Sequence, residues 1–181
     1  LLMIYTILGI IQSCDLHYCE NVDYYDFTNI RINEINPIIE LNDSLDFRIE
    51  AFNLGWMAQN QSKFKLIQTV SALGCKEGYA GMKSPLTKIE ITSDADFNDD
   101  YPANTLLNDL VIIFLNTADD YYGHKYEYLN LNSIDLVKFL NPQNQYMANL
   151  VIVERPTKEK DHKLTIKLFK SNGDIVTAVS N

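Results

Sequence analysis

Lys163 to Lys170 alternates: Leu164, Ile166 and Leu168 fall on one side, Lys163, Thr165 and Lys167 on the other. Period two is the repeat of an extended chain with one buried face, because successive side chains leave a strand on opposite sides. Ser171-Asn172-Gly173-Asp174 follows, and Ile175 to Val179 returns. Asn-Gly between two such runs predicts a hairpin, since both residues tolerate positive φ. A chain carrying this unit must build an antiparallel sheet with one wet face.

The same repeat recurs upstream. Ser44 to Ala51 puts Leu45, Phe47, Ile49 and Ala51 on one face, with Asp46, Arg48 and Glu50 opposite. Leu86 to Thr92 sets Ile89 and Ile91 against Lys88, Glu90 and Thr92. Tyr24 to Ile35 is rich in aromatic and β-branched residues and stops at Asn36-Pro37, a turn. Phe64 to Val70 alternates more weakly before Gly74-Cys75 and the loop glycines Gly78 and Gly81. Tyr146 to Val153 holds the unbroken run Leu150-Val151-Ile152-Val153, which predicts a central strand covered on both sides.

Two segments differ. Asn104 to Phe114 places Leu106, Leu107, Leu110, Val111 and Phe114 at helical spacing, although Val111-Ile112-Ile113 suits a strand equally. Asn132 to Leu140 reads as a short helix, capped by Asn132 or Ser133 and ended by Asn141-Pro142. Six or seven strands with one or two short inserted helices define a mainly β chain, an immunoglobulin-like β-sandwich. A ferredoxin-like α+β arrangement is the alternative, but helices this short would not cover a sheet. Trp56, at the end of a strand, is assigned to the core.

The first residues carry an address. Leu1 to Ile11 has no charge and is followed by Gln12, Ser13 and Cys14. A membrane-spanning helix needs about 20 apolar residues, which this run does not reach. An apolar stretch of roughly 7–15 residues ending at small residues is the core of a cleaved signal. Ile11-Gln12-Ser13-Cys14 resembles a relaxed lipobox, which makes Cys14 the acylated first residue of a mature lipoprotein. Gln12 departs from the usual Ala or Ser, and no basic segment precedes the run. The competing reading is a buried N-terminal strand with a chance cysteine. The expected organisation is a signal at 1–13, a lipidated tether at 14–23 and one sandwich domain at 24–181.

Length and composition agree with a compact secreted domain. A chain of 181 residues can bury one substantial core. With 46% hydrophobic and 22% charged residues it is not globally disordered. Its net charge of −9 argues against nucleic acid as a partner, because phosphate binding needs clustered Lys and Arg. Three cysteines are odd in number, but acylation of Cys14 leaves Cys19 and Cys75 as a pair. In an oxidising envelope compartment they are expected to form a disulfide, stabilising the fold by about 4 kcal/mol on the chain-entropy model. Each could equally be a small buried thiol.

A resemblance then emerges. The lipobox, the early Cys19 and the later Cys75 form its first part. Ile91-Thr92-Ser93-Asp94-Ala95-Asp96-Phe97-Asn98, with Tyr101-Pro102-Ala103-Asn104 and an apolar segment behind, forms the second; the closing Ser171-Asn172-Gly173-Asp174 hairpin forms the third. Together they resemble a family of Bacteroidetes envelope lipoproteins known only as an uncharacterised domain, over nearly the whole mature chain. Asn104 stands where a Gly would be more usual. The resemblance implies an outer-membrane lipoprotein, facing the periplasm or the surface, and implies no activity.

Candidate chemistry is sparse. Asp94, Asp96 and Asn98 have the one-three-five spacing of a calcium loop, but Asp99 stands where that loop needs Gly and Thr105 where it needs Glu. An acidic solvated turn is the simpler reading. Cys14, His17 and Cys19 could ligate zinc only if Cys14 kept its thiol, and His124 with Glu127 only on a helix that Gly123 and its tyrosines disfavour. No Gly-x-Ser-x-Gly elbow, phosphate loop or His-Glu-x-x-His motif occurs, so an enzyme is not expected and no cofactor is called for.

The positive feature is a crowd of rings: Tyr121, Tyr122, Tyr126 and Tyr128. Aromatic faces in sandwich loops stack on sugars or partner proteins, although half of these rings would pack beneath the inserted helix on the simpler reading. Two functional classes follow. The first is a structural or interaction lipoprotein held at the membrane by its lipid anchor, with an envelope protein as partner. The second is a glycan-binding lipoprotein using the Tyr121 to Tyr128 loop.

Overall fold

The computed structural model describes residues 24–34, 44–57, 78, 80–116, 126–154, 156–158 and 161–180. Their strands are β1 (Tyr24–Glu34), β2 (Leu45–Met57), β3 (Gly81–Met82), β4 (Leu86–Ser93), β5 (Val111–Asn116), β6 (Tyr126–Asn130), β7 (Met147–Ile152), β8 (Leu164–Lys170) and β9 (Ile175–Val179). They form a six-stranded sheet, ordered β3-β1-β2-β7-β5-β6, and a three-stranded sheet, β4-β8-β9. All pairings are antiparallel except the two-residue β1–β3 contact. The protein is the mainly β, sandwich-like fold that the alternation predicts.

Each alternating run buries the face its pattern names. Leu45, Phe47, Ile49 and Ala51 of β2, Ile89 and Ile91 of β4, and Leu164, Ile166 and Leu168 of β8 all join one apolar cluster fed by both sheets. Burying side chains of this size stabilises the fold by about 1.5–3 kcal/mol each, which is why a one-residue slip in register is not tolerated.

The predicted hairpin forms with a different turn. Only Gly173 takes positive φ, at 93°; Asn172 does not. Gly173 N–H donates to the Lys170 carbonyl at 3.0 Å and Lys170 N–H to Asp174 at 2.9 Å, a three-residue loop closed by a glycine bulge. The Asn172 side chain is instead spent on Asp174, accepting its N–H at 3.0 Å.

Helical content is limited to single 3₁₀ turns among the described residues. The helix expected over Asn132 to Leu140 appears as turns at Leu131–Ser133 and Leu136–Lys138. Asn130 and Asp135 each cap their own turn, and Ile134 between them is extended at ψ 148°, so propagation restarts rather than continues. The ambiguous Asn104 to Phe114 segment resolves as one 3₁₀ turn, Asn108–Leu110, running into β5. With no α-helix described, the α+β alternative does not apply. β7 does lie centrally between β2 and β5, but Leu150 and Ile152 are buried while Val151 is only half-buried. Its apolar run is therefore not covered on both sides. Glu127, which could join His124 in a metal site only on a helix that the sequence disfavours, lies in β6.

The outer edge of β4 is closed by its own downstream chain. Asn108 mimics a strand: its Oδ1 accepts Ile91 N–H at 3.0 Å and its Nδ2 donates to the Ile89 carbonyl at 2.8 Å. Leu107 and Asn104 N–H groups take the Ile91 and Ser93 carbonyls at 2.8 and 2.7 Å. Blocking an edge in this way removes a template for unwanted pairing. Asn104 does this at φ 66°, a left-handed conformation that Asn tolerates and Gly prefers.

Candidate functional site

Antiparallel register places outward residues of neighbouring strands side by side. In β2 the outward set is Asp46, Arg48 and Glu50; in β7 it is Met147, Asn149 and Val151; in β5 it is Ile112 and Phe114. Arg48 pairs with Asn149, Asn149 with Phe114, and Phe114 with Tyr128 of β6. One row thus crosses four strands: guanidinium, amide, phenyl, phenol. Arg48 Nε donates to Asn149 Oδ1 at 2.7 Å, and the Phe114 and Tyr128 rings lie 4.9 Å apart, tilted by 53°. Tyr128 is 71% exposed. Beside the row, Glu50 accepts two N–H groups of Arg31, at 2.7 and 2.9 Å.

Of the tyrosines singled out in the sequence, Tyr128 is thus on the surface rather than under an inserted helix. Tyr126 lies in β6, and Tyr121 and Tyr122 fall outside the described residues, as do Cys14, Cys19, Cys75, His17 and the Phe64 to Val70 segment. Arg48, Asn149 and Phe114 were missed. Their signal was the outward half of each alternation, but which strands are neighbours is not written in any single run.

The Asp94, Asp96 and Asn98 oxygens serve the backbone. Asp94 Oδ1 accepts Lys163 N–H at 2.8 Å, Asp96 Oδ1 accepts Ala103 N–H at 2.8 Å, and Asn98 Oδ1 accepts the N–H groups of Asp100 and Tyr101, each at 2.9 Å. Each oxygen engaged this way holds a turn together, so these three residues stitch the loop. Among the described residues no three His, Cys, Asp or Glu side chains gather as a metal set. A hydrogen bond from Lys158 holds the Asp99 carboxyl below its usual range, and Asp99 raises Lys158 in return. Both groups are solvated, so screening leaves the pair little weight in stability.

Three other features stand out among the described residues. Ser93 Oγ lies 2.8 Å from His162 Nδ1, a spacing that would suit an activated hydroxyl. Both residues are buried, however, and the imidazole packs 5.2 Å from the Phe97 ring, so the pair belongs to the core. A cleft of about 310 Å³ lies between β4 and the 3₁₀ turns, with Ile89, Leu131 and Ile134 among its lining. Its polar groups are already engaged: Lys88 with Glu90 at 2.6 Å, Asn108 with β4, and Asp109 with Asn132.

The third is Tyr25, fully buried with no partner for its hydroxyl among the described residues. Its ring meets Tyr146 at 5.1 Å, and Tyr146 meets the half-buried Trp56 at 6.0 Å. Gly78 lies beneath, where a Cβ would come within 3.0 Å of the Tyr25 ring. Burial above all, then Tyr146 and Asp26, raises the Tyr25 phenol well above its ordinary value of 10.0. Only the unfolded chain then ionises near that value, so the contribution of Tyr25 to stability is complete below pH 10 and falls as pH rises beyond it. Tyr25→Phe is expected to keep or raise stability at neutral pH and to soften this alkaline loss. A drop of more than about 1 kcal/mol in urea unfolding would reveal a hydrogen bond to that hydroxyl.

Comparison with family models, curated proteins and solved structures finds no match to this chain.

Proposed function

We propose that this chain is an outer-membrane lipoprotein, anchored through acylated Cys14, whose β-sandwich is a non-catalytic structural or interaction module of the cell envelope. The observation that carries the reading is the charge-free run Leu1 to Ile11 ending in Ile11-Gln12-Ser13-Cys14. β1 opens at Tyr24, close behind that cysteine, so the domain would sit near the bilayer surface. Stable anchoring needs two or more acyl chains, because one gives only reversible binding. Cys14→Ala in the full precursor should abolish acyl labelling and leave the protein soluble or unprocessed. Membrane fractionation at the mature mass, unchanged by the substitution, would remove the lipobox reading.

The second reading, a glycan-binding lipoprotein, is favoured by the exposed Tyr128 ring packed at a tilt beside Phe114. Tyr121, Tyr122 and Tyr126 lie just upstream in the chain. Rings of this kind offer apolar faces with polar tips, which suits pyranose rings.

A further inference from the structure

We propose that the outer face of the six-stranded sheet binds an uncharged, hydroxyl-rich glycan chain, laid across the strands along the row Arg48, Asn149, Phe114 and Tyr128. This rests on the glycan reading above and moves its centre from the tyrosine loop to the sheet.

The geometry is that of a ledge. Asn33 of β1 pairs with Arg48, so the row continues over five adjacent strands, about 19 Å at a spacing of about 4.8 Å. Chain direction across the ledge is perpendicular to the strands, and each step meets a new side chain. At one end two rings lie 4.9 Å apart, tilted by 53°, with Tyr128 71% exposed. At the other, a guanidinium and an amide are held in fixed relation by their 2.7 Å bond. That bond uses one of the five N–H donors of Arg48, leaving others for hydroxyl oxygens. Sugars need this combination, because each pyranose ring has apolar C–H faces and a polar rim.

Charge selects within the class. Arg31 and Glu50 neutralise each other at 2.7 Å, and Arg48 and Asp46 are successive outward residues of β2. Among the described residues named here, two cations stand with two carboxylates on this face, while the whole chain carries −9. Such a patch gives an acidic polymer no net attraction and the protein as a whole repels it. A protein partner would be expected to bury a continuous apolar centre with its charges at the rim; here polar and aromatic groups succeed one another along the row.

The test uses affinity electrophoresis of the full mature domain in gels containing xylan, mannan, soluble β-1,4-glucan or polygalacturonate. Retardation is expected in at least one neutral gel and not in polygalacturonate. Tyr128→Ala and Arg48→Ala should each weaken that binding by about tenfold or more, the factor that 1.4 kcal/mol represents. The urea midpoint of Tyr128→Ala should stay near wild type, since Tyr128 is largely exposed. Tyr122→Ala should leave binding unchanged. If Tyr122→Ala abolishes binding and the row variants do not, the loop is the site and the ledge is overturned while the glycan reading survives. Retardation only by polygalacturonate overturns the uncharged class, and no retardation in any gel overturns both readings.

Discussion

Lys170→Ala is expected to cost about 3–5 kcal/mol of folding stability, the range measured when one partner of a buried ion pair is removed. The Lys170 side chain is 3% exposed and its partner Asp26 13%. Its ammonium donates to Asp26 Oδ1 and to the Phe27 carbonyl, and it lies 4.2 Å from the centre of the Phe27 ring. Lys170 belongs to β8 of the small sheet, Asp26 and Phe27 to β1 of the large one. The pair therefore joins the two layers, and truncation strands a half-buried carboxylate and a carbonyl together. The double variant Lys170→Met with Asp26→Leu should recover most of the loss, because apolar groups of similar size often replace a buried pair without cost. Urea unfolding of the single and double variants measures this. A loss below about 1 kcal/mol for Lys170→Ala would mean that water screens the pair as it does at a surface.

The second large effect falls in the loop between β4 and β5. Phe97 is fully buried although it lies in no strand. Its backbone N–H donates to the Tyr101 carbonyl at 2.9 Å, its own carbonyl accepts Thr157 N–H at 2.9 Å, and its ring packs on His162. Phe97→Ala should destabilise by about 3–5 kcal/mol, the sum of lost transfer energy and a cavity that the stitched loop cannot collapse to fill. Phe97→Leu, which keeps most of the volume, should cost less than about 1.5 kcal/mol. The midpoint of urea unfolding should fall with an unchanged slope. If alanine costs no more than leucine, Phe97 is not the anchor of this loop.

Lys170 also shows how far strand patterns can be read. The alternation that puts Leu164, Ile166 and Leu168 inside puts Lys170 inside too, four positions in one register. A lysine at such a place announces a buried partner, yet nothing near it in the chain identifies Asp26, 144 residues away. Phe97 was less legible still. It sits within a motif whose acidic residues suggested a cation loop, and the oxygens of that motif turned out to hold backbone N–H groups. Spacing alone cannot separate the two uses, because an Asx turn and a calcium loop draw on the same residues at short intervals.

Local periodicity did not announce β3 or β6, left β5 open and overstated the covering of β7, but by itself it determined the mainly β class and the buried faces of β2, β4 and β8. Those properties follow from the two-residue repeat of an extended chain, which needs no knowledge of neighbours. The hairpin of β8 and β9 was legible for the same reason. Tertiary structure alone decided the order of strands, the insertion of β7 between β2 and β5, and therefore the row of Arg48, Asn149, Phe114 and Tyr128. It also decided that Asn132 to Leu140 would be broken turns rather than a helix, since each cap competes locally with propagation and packing settles the contest. Pairing between distant strands is a choice among many near-equivalent edges, and only the burial of the whole core distinguishes them.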